Sequence, residues 1–209
     1  MKFLIEACKK SAFEVYDTFD ASHDIDHILR VMKNAEKIRV TEPTANETVL
    51  TLGVLLHDVD DPKYKSVDQL TALEILRENG VGEELIEEVL ACIESLSFSG
   101  GNSREITSIE GAILRDADRL DAIGAVGIAR AFAFGGARGR KLYAHDEKAR
   151  TEMSETAYRE KETATVTHFY EKLLLLKDLM VTKEGKRLAK ERHDYMEGFL
   201  KQLAEEVGR

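Results

Sequence analysis

The chain has 209 residues, 33% of them charged and 43% hydrophobic, and its 30 basic and 39 acidic side chains leave a formal net charge of −9. That balance repels phosphate backbones and excludes duplex nucleic acid as a partner, although a local cationic loop or a bound metal can still admit a small anion. No apolar run reaches membrane-spanning length, and MKFLIEACKK meets Glu6 before a signal-peptide core can form, so a cytoplasmic protein with no membrane partner is expected.

The length suits one core, so a single domain is expected. Prolines occur only at Pro43 and Pro62, and helix formers dominate, which points to an all-α, single-domain helical bundle. Residues 2–19 carry Leu4, Cys8, Ser11, Val15 and Phe19 in alternating four- and three-residue steps, the stripe of a packing helix. Ser22 is the expected N-cap of a helix over about 24–40, with Ile25, Ile28, Met32 and Ala35 buried and with His23 and His27 on one face.

Residues 45–59 are apolar around most of the circumference, through Val49, Leu52, Leu55, Leu56 and Val59, and so form the most buried helix, ending in His57 and Asp58. Beyond Pro62, helices are expected from about Val67 to Asn79, closed by Gly80, and from about Glu83 to Leu96. The first cysteine, Cys8, and the second, Cys92, sit among apolar residues without metal-ligand spacing and read as reduced core thiols.

Residues 98–105 read as a loop, and Thr107 with Glu110 as a capping box for a helix through about Leu120 that carries Asp118. AVGIARAFAF then forms a short helix followed by a GGARGRK loop, and 141–154, lacking any period, is expected to be a mobile segment or lid. Amphipathic helices over about 155–178 (Tyr158, Thr165, Phe169, Leu173, Leu176) and 183–206 (Leu188, Tyr195, Phe199, Leu203) close the chain, packing on their own domain or on a second copy in a homodimer.

The chemistry concentrates in three stretches, ASHDIDHILRV, LGVLLHDVDD and ILRDADRLDAIGA, which place imidazoles and carboxylates in otherwise apolar helical patterns, where unpaired polar groups are costly. Adjacent residues on a helix point about 100° apart, so one cation over the helix edge can touch both His57 and Asp58. A second imidazole and a second carboxylate from other helices would complete four ligands and leave open positions on a hard or borderline cation. A His-Asp dipeptide alone would be an ordinary helix-end hydrogen-bonding pair.

Taken in order, and with their separations, these stretches make residues 20–136 resemble the HD superfamily of metal-dependent phosphohydrolases, whose signature is a His, a His-Asp pair and a distant Asp on separate helices. The DADRLDAIGA and AFAFGG stretches are similar to those of small stand-alone bacterial members that act on nucleoside triphosphates. The resemblance implies that His27, His57, Asp58 and Asp118 hold one divalent metal ion, manganese first, with magnesium, iron, cobalt, nickel or zinc as alternatives. His23 competes with His27 for the first position and otherwise contacts phosphate or a water.

Asp61, one turn after His57, is the implied general base, with Asp60 as its neighbouring alternative. No histidine lies between Asp58 and Asp118, where two-metal members of the superfamily it resembles carry extra histidines, which favours one metal over two and disfavours the cyclic dinucleotide branch. Lys63, Arg119, Arg138, Arg140 and Lys141 are the cations available to phosphate, set against a core salt bridge of Arg119 with Asp116 or Asp121 and plain solvation of the loop residues. His168 and His193 read as surface or helix-face histidines. The implied function is hydrolysis of a phosphoanhydride or phosphoester bond in a small nucleotide substrate, foremost a (deoxy)nucleoside triphosphate giving monophosphate and pyrophosphate. The alternatives are a nucleoside 5'-monophosphate phosphatase, a non-catalytic metal- or nucleotide-binding protein, and a helical interaction module.

Overall fold

The structure, a computed structural model, describes residues 1–19, 23–64, 66, 69–96, 98–99, 102–103, 106–150 and 163–208. Among these residues the fold is all-α apart from a two-residue strand pairing, β1 (Phe98–Ser99) with β2 (Asn102–Ser103), inside the expected loop. The chain divides into two compact units, Met1–Phe98 with Asn102–Ala117, and Ser99–Gly101 with Asp118–Arg209.

In the first unit α3 (Glu47–Leu56) is the centre, packed by α1 (Lys2–Tyr16), α2 (Ile25–Arg39) and α5 (Glu83–Glu94). Val49, Leu50, Leu52, Val54, Leu55 and Leu56 are all buried, as expected for a helix apolar on every side. Each such aliphatic side chain contributes about 1.5–3 kcal/mol on leaving water. Gly53 lets α5 approach closely, because a β-carbon there would lie 3.0 Å from Cys92 Sγ. Both cysteines are free and buried, matching the core-thiol expectation.

Polar side chains set where these helices begin. Asp24 caps α2, accepting the His27 backbone N–H at 3.0 Å, and the expected cap Ser22 lies outside the described residues. His23 therefore precedes the helix and does not share a helical face with His27. Asn46 caps α3 by accepting the N–H groups of Thr48 and Val49. Helix α4 (Ala72–Glu78) starts later than Val67 because Thr71 and Glu74 form a reciprocal capping box. The box expected from Thr107 and Glu110 is not what starts α6 (Ile109–Asp121). Ser108 Oγ accepts the Gly111 N–H at 3.0 Å, while Glu110 accepts the Asn46 N–H at 2.6 Å.

The second unit contains α7 (Gly124–Ala137), α8 (Thr165–Glu171), a 3-10 helix (Leu173–Leu179) and α9 (Lys183–Glu206). Phe132, Phe169 and Phe199 form its aromatic core, with ring centroids 5.8–6.4 Å apart. The helix expected over 155–178 is interrupted at Lys172 (φ −141, ψ −59), where α8 gives way to the 3-10 turns, and Tyr158 lies outside the described residues. Glycines 135 and 136, expected in a loop, continue α7. Gly135 is small because Thr165 approaches it, with Oγ1 2.2 Å from where a β-carbon would stand.

Residues 141–150 are tied down, contrary to the mobile segment expected there, and 151–154 lie outside the described residues. The carbonyls of Lys141 and Leu142 accept the N–H groups of Thr165 and Val166 at 2.9 Å, and Glu147 accepts the Ala164 N–H at 2.8 Å. Arg150 grips the buried Glu171 carboxylate with Nε at 2.7 Å and Nη2 at 3.1 Å, a charge-assisted fork. His193 is buried, not at the surface, and Tyr195 is exposed. No single helix among the described residues is long and apolar enough to cross a membrane.

Two glycines of α7 give opposite expectations. A β-carbon at Gly127 would lie 2.2 Å from the Ala122 carbonyl oxygen, whereas nothing lies within 4 Å of one at Gly136. Gly136→Ala should stabilise the protein by about 0.5–1 kcal/mol, the ordinary helical gain. Gly127→Ala should destabilise it by about 2 kcal/mol, because backbone atoms must shift. Urea denaturation of both variants checks the reversal of sign.

Candidate metal centre

Helix α3 ends at the two residues that carry most of the site's chemistry. The His57 ring stands 2.9 Å from the Val54 carbonyl through Nδ1. A carbonyl only accepts, so Nδ1 bears a proton and Nε2 is the ring nitrogen left to face a cation. That Nε2 is buried and has no hydrogen-bond partner among the described residues. Leaving it so in an apolar interior is costly, and a cation would remove the cost.

Three further groups meet it. Asp58 Oδ2 lies 3.4 Å from His57 Nε2 and 3.3 Å from His27 Nε2. His27, buried on the first turn of α2, has its ring centroid 5.5 Å from that of His57. Asn34, two turns on in α2, donates to the Ala117 carbonyl of α6 at 3.1 Å. The next residue of α6 is Asp118, and one ligand atom each of His27, His57 and Asp118 lie within 4.8 Å of one another. Two imidazole nitrogens with carboxylate oxygens suit a borderline divalent cation, so the residues present fit such a group.

Burial by itself would raise the Asp58 pKa, but His57, then His27, then His23 outweigh it and hold the carboxyl well below the usual range. It is ionised throughout the physiological range. The turn that carries it is closed by Tyr16, the buried last residue of α1, whose hydroxyl donates to the Leu55 carbonyl at 3.0 Å and accepts the Asp58 N–H at 3.4 Å. Burial first, and the Asp58 carboxylate second, push the Tyr16 phenol well above its ordinary value, so it stays protonated and remains a donor.

The other sequence candidates fall in different places. His23 has its ring centroid 5.6 Å from that of His27, and its Nδ1 is 2.9 Å from the Tyr64 hydroxyl, which also receives Lys63 Nζ. Tyr64 in turn stacks on Phe19 at 4.5 Å. Asp61 is half-buried, and its Oδ1 accepts the Lys63 N–H at 2.8 Å. Asp60 accepts the first N–H of α4, from Ala72, at 3.0 Å, which makes it a helix cap.

Arg119 donates to the Leu179 carbonyl, and Asp121, one of its expected partners, pairs with Arg130. Arg138 is exposed and lies over the Phe134 ring at 3.5 Å, with Arg140 at 5.4 Å from the same ring. The structure thus brings His27 and His57 together with Asp118 and sets Asp58 against both imidazoles, with His23 beside His27 and Lys63 attached through Tyr64.

Sequence reading missed Tyr16, Tyr64 and Lys172. Tyr16 follows Val15 in a packing helix and carries no signal that separates it from core. The Lys172 side chain keeps solvent access, yet its amine sits among enough protein atoms that desolvation lowers its pKa; Asp118 opposes that shift and Arg130 adds to it. The only hint in the sequence was its spacing, four residues after His168.

A family model described as HD domain matches residues 24–123. The Bacillus subtilis protein YpgQ is 38% identical over 192 residues, covering 90% of this chain and 85% of its own length. Its crystal structure in complex with ADP aligns with a TM-score of 0.77 over 98% of this chain and 95% of that one, at 32% identity. A Lactobacillus plantarum crystal structure aligns with a TM-score of 0.84 at 32% identity, covering 100% of this chain and 98% of that one. An HD-superfamily hydrolase from Bacillus thuringiensis aligns with a TM-score of 0.76 at 36% identity, covering 99% and 98%.

The cations of the second unit also shape its acid response. Desolvation above all, then Lys172 and Arg140, push the His168 pKa down to about 4 against the opposing pull of Glu171. Below about pH 6.5 the unfolded chain takes up a proton that the folded one refuses until about pH 4, so stability falls across that window, by at most about 3 kcal/mol. His168→Gln should flatten this acid-side slope in denaturation curves collected from pH 7 to pH 4. An unchanged slope would show that His168 does not carry it.

Proposed function

This chain belongs to the HD superfamily, and on that premise we propose that it is a metal-dependent phosphohydrolase that cleaves a phosphoanhydride bond of a nucleotide, foremost a (deoxy)nucleoside triphosphate to monophosphate and pyrophosphate. The observation that carries the hydrolase reading is the convergence of the buried His57 Nε2 on His27, Asp58 and Asp118. The nucleotide reading is supported by a relative, YpgQ, whose structure holds ADP.

In this reading His27, His57, Asp58 and Asp118 hold one divalent cation, manganese first. The cation supplies Lewis acidity, acidifying a water and neutralising charge on the phosphoryl oxygens. Asp61 is the general base. Its Oδ1 is occupied by the Lys63 N–H, which fixes the carboxylate and leaves Oδ2 to take the proton of the attacking water.

His23, steadied by Tyr64, and Lys63 bind phosphate oxygens on the side of α2. Arg119, Arg138 and Arg140 are further candidates for phosphate contact, and Lys172, which interacts electrostatically with Asp118, joins them. Attack of water on the α-phosphorus breaks the bond to the bridging oxygen, and pyrophosphate departs with that oxygen. Fixed cations that meet the negative charge as it shifts onto the leaving group lower the barrier without reorganising.

Chelator-treated protein, resupplied with manganese, magnesium, cobalt, nickel or zinc and offered a nucleotide panel, tests this. Pyrophosphate release with manganese should exceed that of His57→Ala by more than about a hundredfold. Orthophosphate released from monophosphates would assign a phosphatase instead. Turnover no higher than that of His57→Ala under every metal would overturn the enzyme reading.

A further inference from the structure

We propose that Tyr16 is a positioning residue for the metal ligands: its hydroxyl re-partners the end of α3 so that His57 and Asp58 aim at a common cation. The inference rests on the metal-centre reading above and extends it to a residue on another helix that touches no metal.

In a continuing α-helix the Asp58 N–H would donate to the Val54 carbonyl, four residues back. That carbonyl receives the His57 ring N–H at 2.9 Å, and the Asp58 N–H is directed at the Tyr16 hydroxyl at 3.4 Å. The Val59 N–H, which would reach back to the Leu55 carbonyl, bonds Leu56 at 3.2 Å in a tighter turn. The Leu55 carbonyl is thereby released as a helix-end acceptor, and the Tyr16 hydroxyl donates to it at 3.0 Å.

One hydroxyl therefore substitutes for two helical rungs at the residue where the ladder gives up a carbonyl to an imidazole. The exchange fixes the backbone of the turn from which a ring nitrogen and a carboxylate of adjacent residues come within 3.4 Å of each other. Tyr16 is fully enclosed, its ring set edge-on to Phe19 at 5.3 Å, so no water replaces the hydroxyl without disturbing the packing of α1 on α3.

Tyr16→Phe keeps the ring and deletes the hydroxyl. A merely structural tyrosine would lower the melting temperature of the metal-free protein and leave metal affinity alone. As a positioning residue it should also weaken manganese binding by about tenfold or more, the range seen when an outer partner of a metal ligand is lost, and shrink the melting shift that manganese induces.

Val15→Ala, a buried α1 variant beside it, is the control for lost stability and should keep the wild-type manganese affinity. Titration calorimetry with manganese alone reads all three proteins. Binding by Tyr16→Phe within about twofold of wild type, or equal weakening in Val15→Ala, would overturn the proposal. Absence of manganese binding by the wild type would overturn the metal-centre reading beneath it.

Discussion

The hydrogen bond from the His57 ring to the Val54 carbonyl is the constraint on which the centre depends. It fixes the ring plane and commits Nδ1 to the carbonyl, and thereby directs Nε2 of a buried side chain toward the centre. Its cost is a carbonyl withdrawn from the helical ladder. The rest of the local architecture supplies replacement partners, Tyr16 from α1 for the Asp58 N–H and a shortened turn for Val59. Rigidity is inherited from α3, whose apolar circumference leaves its end little freedom to move.

The order of elements was legible in the sequence wherever an apolar stripe had a clear period. The final helix begins and ends as its stripe predicts, and the all-round apolar 45–59 stretch is indeed the central helix of its unit. Starts were less legible, because a cap is chosen by side-chain geometry and several residues compete for it. Asp24 and Ser108 won those competitions on hydrogen bonds that spacing does not reveal, whereas Thr71 with Glu74 has the same capping-box spacing as Thr107 with Glu110 and does start its helix. Glycines 135 and 136 misled because their composition reads as a loop, whereas Gly135 is dictated by the approach of Thr165.

Of the centre itself, the pattern of imidazoles and carboxylates was visible because polar residues interrupt apolar faces. What surrounds it was not. Tyr16, Tyr64 and Lys172 are ordinary residues in ordinary contexts, and only folding shows that a phenol closes the His57–Asp58 turn or that an amine interacts electrostatically with Asp118. Outer partners bind through backbone atoms or through fields, neither of which leaves a sequence motif.

The close seat of Cys92 against Gly53 carries a consequence of another kind. The thiol is enclosed at the contact of α3 with α5, and burial, with a smaller push from Glu110, raises its pKa to about 12. Alkylating reagents need an accessible thiolate, so Cys92 can react only after that contact has parted. Its modification rate is therefore an intrinsic clock for local opening of the helix that ends in the metal ligands, readable without any introduced label.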